Sequence, residues 1–209
     1  MSLLRDAWEQ REHVIYQSIF HILGKDIHPL DINVFQRGFG IDDIDPRWMF
    51  SGVFKCPPTN RRRNWVYVTS GMSNPWETHK TKVESGIGCE FILETTAECD
   101  WAIDALKNLM ALNILLSNGY YGDKPKIAVG ERVPLAMNQR TTNVMIVEPK
   151  DYPSSFDLVS GRVKLLQVIG VTTSDIEFAQ KNGTNELVST LTARHDTFAL
   201  DLPHQRRLN

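Results

Sequence analysis

Trp65-Val66-Tyr67-Val68-Thr69-Ser70-Gly71-Met72-Ser73-Asn74-Pro75-Trp76 and, after a polar stretch, Ser85-Gly86-Ile87-Gly88-Cys89-Glu90-Phe91-Ile92-Leu93-Glu94 decide how the chain folds. Both runs are rich in β-branched and aromatic residues, and turn-forming residues crowd their facing ends. The pattern predicts two sheet strands meeting across a surface loop. That loop is the natural place for a function.

Upstream, Leu4, Trp8, Ile15, Ile19 and Ile22 recur at helical spacing and predict one apolar stripe on a helix ended by Gly24. Ile32-Asn33-Val34-Phe35 and Met49 to Phe54 read as two short strands. Cys56-Pro57-Pro58 to Asn64 reads as a loop with a solvated arginine run, since consecutive prolines cannot donate ladder hydrogen bonds. Downstream, Trp101, Ala105, Leu109, Leu112 and Leu116 share one helical face, with Asp100 as cap and Asn118-Gly119 as stop. Ile127 to Val133, Asn143 to Val147 and Val163 to Val171 read as strands, the last apolar on both faces. Ser174 with Glu177 predicts a capping box for a short helix to Lys181, followed by a helical stretch near Glu186 to Leu191 and a strand near Phe198 to Leu202. Strands broken by a few helices, without a glycine-rich turn after the first strand, predict an α+β fold. Its central mixed, mainly antiparallel sheet is flanked by helices, and residues 1–209 form a single domain.

The 209 residues are 42% hydrophobic and 23% charged, enough for a real core in a globular protein. A formal net charge of -2, with Arg61-Arg62-Arg63 as the one dense basic run, gives no nucleic-acid footprint. Apolar stretches fall far short of the roughly 20 residues that span a bilayer, and the first 25 residues read as amphipathic rather than as a signal peptide. No membrane role follows. Cys56, Cys89 and Cys99 lack metal-site spacing and fit a reduced, cytoplasmic chain.

Candidate chemistry is sparse. Gly86-Ile87-Gly88 precedes a strand, whereas phosphate-binding glycines follow one and open a helix. Ser70-Gly71-Met72-Ser73 lacks the second glycine and the helix of a nucleophile elbow, and Asn74-Pro75 breaks any helix there. Cys89 with His79 is imaginable as thiol and base, but Cys89 lies in an apolar run and reads as inert core. The six histidines are scattered, so neither a metal nor a cofactor is predicted. Glu90 is the polar residue of most interest, because a carboxylate inside an apolar strand must be paired or face solvent. The outward, hydrated face is the plainer assignment; the side shared with Ile92 would make it part of a polar pocket. Trp76 reads either as an exposed interface anchor or as a cap on the core.

Three blocks in order resemble the suppressor-of-fused domain family: Trp65 to Ser73, Ser85 to Phe91, and Val163 to Thr172 with Glu177 and Leu187 following. The match is strongest over residues 65–191. The resemblance implies an α+β domain with a flanked central sheet. It also implies a binding role. The animal family member is a cytoplasmic and nuclear negative regulator of Hedgehog signalling that clamps a transcription-factor peptide between this domain and a second one. Bacterial relatives are stand-alone domains often held to be immunity proteins that neutralise toxins. The segment corresponding to Ser73-Asn74-Pro75-Trp76 carries an acidic residue in the animal protein, and Asn74 stands there in this sequence.

The leading expectation is therefore a non-enzymatic protein-binding domain of the immunity type. Its partner is a toxin domain or a peptide strand, added at a sheet edge around Ser70 to Ser85. The contact residues are Tyr67, Ser70, Ser73, Asn74, Trp76 and Glu90. Three alternatives stand beside it: a regulatory peptide-binding protein like the animal one, a homodimer formed through an uncovered strand edge, and an enzyme. The enzyme would use a pocket around Glu90, His79 and Ser70, with two or more of these groups in hydrogen-bond reach.

Overall fold

A computed structural model describes residues 2–21, 24, 27–77, 79–135, 143–194 and 198–200. The chain opens with α1 (Leu3–Glu9), a π-helical segment (Gln10–Ile15) and α2 (Tyr16–Phe20), which follow without a break. The Ser2 hydroxyl accepts the Arg5 amide and caps the first turn. A π turn takes in more residues than an α turn. Ala7, Arg11, Tyr16 and Phe20 consequently share the buried face at steps of four, five and four residues. This corrects the predicted stripe: Leu4, Ile15 and Ile19 are only partly covered, Trp8 is 45% exposed, and Ile22 lies outside the described residues. The helix also stops earlier than Gly24, at His21 with φ 64.

Ile32 to Phe35, expected as a strand, begins α3 (Ile32–Phe39). The Asp31 carboxylate accepts the Asn33 amide at one end and Gly40 takes a left-handed φ of 69 at the other, so local capping outweighs the β-branched composition. Pro46–Phe50 is a 3-10 turn capped by Asp45, which leaves only the end of the expected Met49 to Phe54 strand extended. The Cys56 to Asn64 loop is not freely solvated. The Arg62 guanidinium is half-buried and donates to the carbonyls of Phe20, Pro57 and Asn64, tying the loop to the end of α2.

The sheet contains β1 (Ile27–Pro29), β2 (Gly52–Cys56), β3 (Trp65–Ser70), β4 (Glu84–Thr95), β5 (Arg132–Pro134), β6 (Asn143–Val147), β7 (Ser155–Leu158) and β8 (Gly161–Val171). Its order is β1-β2-β3-β4-β8-β6-β5, with β7 also paired to β8. The β4–β8 contact is parallel and the others are antiparallel, so the fold is α+β with a mixed sheet flanked by helices. Trp65 to Val68 pair with Thr95 to Ile92, as the opening stretch of sequence suggested. The expected Ile127 to Val133 strand shrinks to β5, with Ile127 a buried coil residue whose amide donates to Asn113 Oδ1.

α4 (Asp100–Ser117) covers one face of the sheet, burying Leu106, Leu109 and Met110 against Cys89, Phe91 and Leu93 of β4. Each such side chain contributes about 1.5–3 kcal/mol on burial. Cys99, not Asp100, is its N-cap residue. The helix at the N-terminus covers the other face through Ala7, Tyr16 and Phe20, packed on Phe54, Val66, Val68 and Ile92. α5 (Thr173–Asn182) and α6 (Thr184–Arg194) close a smaller cluster over β6 and β8. The capping box of α5 is Thr172 with Asp175, two residues earlier than the expected pair. Leu200 bridges Thr95, and residues 201 and 202 of the last expected strand lie outside the described residues. Among the described residues no helix is long and apolar enough to cross a membrane.

Candidate functional site

Strand alternation puts Glu90 on the same side as Ile92, beneath the π-helical segment, and there the carboxylate is fully buried. The outward assignment is thereby corrected. Glu90 accepts four hydrogen bonds: from the amides of Gly71 at 3.0 Å and Ser73 at 2.9 Å, and from the hydroxyls of Ser73 and Thr69 at 2.7 Å each. Arg11, 1% exposed, reaches the same place from the opposite side. Its guanidinium donates to Ser73 Oγ at 3.0 Å, Asn74 Oδ1 at 2.8 Å and Ser70 Oγ at 3.0 Å. Ser70 Oγ donates in turn to Glu12 Oε1 at 2.6 Å, and Glu12 also pairs with Arg11. Two relays result, Arg11 to Ser73 to Glu90 and Arg11 to Ser70 to Glu12. Burying these charges is tolerable because Arg11 pairs with Glu12 and four neutral donors satisfy the Glu90 carboxylate.

The network pins the loop at 71–76 from below. Gly71, at φ 124, lies where a Cβ would fall 2.3 Å from Ser51 Oγ, and a Cβ on Gly86, at φ 58, would fall 2.5 Å from the Met72 carbonyl. Close packing of loop against strand requires both glycines. The Ile87 amide donates to the Met72 carbonyl and Ser85 Oγ to the Ser73 carbonyl, stitching the loop to the start of β4. Tyr16 adds a bond to the Thr69 carbonyl at 2.7 Å, and burial, with Glu90 nearby, raises its phenol well above the ordinary range.

Of the six residues singled out in the sequence, Ser70, Ser73, Asn74 and Glu90 come together in this buried network. Tyr67 does not; it faces α4, where its hydroxyl accepts the Cys99 amide. Trp76 stands at the surface end of the loop, half-buried, 6.4 Å between ring centroids from Phe50, which is 76% exposed. Around these two rings lies an apolar groove of about 600 Å³ whose wall includes Leu4, Trp8, Ile27, Met49 and Phe50. Glu12, 7% exposed, is the carboxylate at its inner wall. Arg11 and Glu12 were missed in the sequence. The signal was a charged pair where the helical stripe between Trp8 and Ile15 calls for an apolar residue.

The catalytic alternative finds no constellation here. His79 is exposed, the Ser70 hydroxyl is engaged by Arg11 and Glu12, and four protein donors saturate Glu90. Glu90 is fully buried and lines neither of the two cavities beside Trp76. The Cys89 thiol is pushed up to about 12, first by burial and then by the neighbouring Glu90, so it is no thiolate near neutrality. Among the described residues no group of three His, Cys, Asp or Glu is placed to hold a metal. Nor does β3 or β4 offer a free edge beside Ser70 to Ser85, because both are interior strands. The path ends in β1 and β5, each three residues long and ending in a proline, which blunts strand addition.

No curated protein matches the chain. Its fold is similar to that of three crystal structures. A suppressor-of-fused homolog from Neisseria gonorrhoeae FA 1090 superposes with a TM-score of 0.62 at 16% identity, over 92% of this chain and 93% of that one. A chain of the Sufu–Fu complex gives 0.54 at 14% identity, over 86% and 92%. Drosophila Suppressor of Fused gives 0.54 at 15% identity over 74% of this chain, which spans only 42% of that protein. The family described as Suppressor of fused protein (SUFU) matches residues 47–203, three-quarters of the sequence including the strand pair, the pinned loop and β8. The chain belongs to the suppressor-of-fused family.

Proposed function

We propose that the protein is a non-enzymatic binding domain whose partner, another protein, docks at the surface around Trp76. One observation carries this reading. The exposed rings of Trp8 and Phe50 line a groove beside Trp76, which stands on the loop fixed by the Arg11–Glu90 network. Anchors of this type contribute most when they are held rigid before the partner arrives, since less side-chain and loop entropy is then lost on binding. Ser70, Ser73, Asn74 and Glu90 act in this reading from beneath, as supports of the contact surface. The likeness to a chain of a Sufu–Fu complex agrees with a protein partner. In its finer form the partner is a toxin domain and the protein confers immunity in the cytoplasm. We take residues 1–209 as one domain, since strands from residue 27 to residue 171 share one sheet.

A photo-crosslinking amino acid at Phe50, with a control at Val129, tests the surface in the native cell. A defined protein crosslinked from position 50, not from 129, and lost on Trp76→Ala with folding intact, is the expected result. Crosslinks from both positions alike, or from neither, remove the reading. For the immunity form, the crosslinked protein must arrest growth when expressed alone and lose that effect when this chain is co-expressed.

A further inference from the structure

Two cavities meet at Trp76, and their chemistry differs. On one side is the apolar groove already described. On the other, a cleft of about 480 Å³ has Arg47, Lys82, Lys124 and Lys126 in its wall, with Glu77 as the lining carboxylate. Arg47 is engaged by Asp45 and Glu77, and Lys126 by Glu84 and the Ile87 carbonyl. Lys82 and Lys124 have no carboxylate partner among the described residues; the Lys124 ammonium stands 5.9 Å from the centre of the Tyr121 ring. Two uncompensated cations thus face one cleft in a chain whose formal net charge is -2. The Trp76 indole N–H, on the ridge between the cavities, is buried without an acceptor among the described residues. A donor left unsatisfied in this way calls for an explanation.

Building on the docking surface proposed above, we infer that the bound element is an extended segment of the partner carrying an acidic residue beside a large apolar one. The carboxylate lies against Lys82 and Lys124, and the apolar side chain crosses Trp76 into the groove lined by Trp8, Met49 and Phe50. Adjacent residues of an extended chain project to opposite sides, which suits two cavities separated by a single ring. Asn74 and Trp76 line both cavities, so one segment two or three residues long touches each. The charge arrangement also sets direction. A carboxylate is attracted to the lysine side, whereas in the groove Arg5 and Glu12 are already paired with Glu9 and Arg11 and the rest of the wall is largely apolar, so the reversed placement is disfavoured.

Peptides selected from a random display library on the full chain, then measured by fluorescence polarisation, test the inference. The expected result is enrichment of Asp or Glu next to Leu, Ile, Phe or Trp. Affinity should fall on the order of tenfold in the Lys82→Glu/Lys124→Glu double variant, whose exposed positions leave the fold intact by circular dichroism, and wild-type affinity should fall at high salt while that of the variant does not. Peptides lost on Trp76→Ala but indifferent to the lysine reversal, with no acidic preference, overturn the charge inference and leave the docking surface standing. Failure to obtain any Trp76-dependent peptide overturns both.

Discussion

On the α4 side of β4, Cys89, Phe91 and Leu93 pack among apolar side chains; on the opposite side of the same strand, Glu90 accepts from two hydroxyls and two amides and is joined to Arg11 through Ser73. The apolar side is held by contact area, which is non-directional, so small shifts of α4 leave most of its energy in place. The polar side is held by directional bonds at 2.6–3.0 Å to specific loop atoms, and it tolerates little movement. A buried ion network of this kind adds little net stability compared with apolar residues of the same volume. Its contribution is the position of the loop. One face of β4 is therefore purely a packing surface, and the other, beside its apolar patch around Ile92, also fixes the loop that carries Trp76.

Removing a member from each face separates the two roles. Arg11→Ala leaves the Glu12 carboxylate buried without its cation and breaks the Ser73 link to Glu90, and the loss in urea unfolding should be about 3–5 kcal/mol. Leu109→Ala, on the apolar face, should lose about 2–5 kcal/mol through transfer and cavity terms. The contrast is in what survives: folded Leu109→Ala should bind the partner normally, and folded Arg11→Ala should bind weakly. Equal binding by the two would end the division of labour. Tyr16→Phe removes one hydrogen bond to the Thr69 carbonyl and should cost about 0.5–1.5 kcal/mol, with a smaller effect on binding.

The same division explains what the sequence made legible. β3, β4, β6, β8 and α4 are long or strongly patterned, and their apolar periodicity reports burial directly. Ile32 to Phe35 misled because β-branched composition is weaker than a capping aspartate followed by a left-handed glycine. β7 is four residues long and went unnoticed for that reason. For the site, Glu90 and the loop stood out, since a carboxylate in an apolar strand breaks the pattern. Arg11 did not, because reading the first helix with a uniform 3.6 period hides a π turn. Only the tertiary structure shows which polar groups meet across 59 to 79 residues of chain, as Arg11 meets Ser70 and Glu90 meets it through Ser73.

A second carboxylate on the polar face of β4 gives the smallest and most specific test. Glu94 is buried and accepts from Tyr152 Oη at 2.9 Å and Gln167 Nε2 at 3.1 Å, with no cation bonded to it among the described residues. Burial is the leading cause that raises its pKa above the usual carboxylate value, against the two hydrogen bonds that lower it. A carboxyl raised in the folded state holds its proton there more tightly than in the unfolded chain. Its contribution is therefore complete below the ordinary value of about 4.5 and is lost as pH rises through the folded value. Exposed pairs such as Asp157 with Arg162 run the other way, because their carboxylates are lowered. Comparing wild type with Glu94→Gln cancels that background, since both proteins share it. The difference in urea midpoint should move against the wild type as pH climbs from about 4.5. A difference that stays constant with pH would mean that Glu94 is solvated or charge-paired in solution, and the polar face of β4 would then be dry only at the Arg11 end.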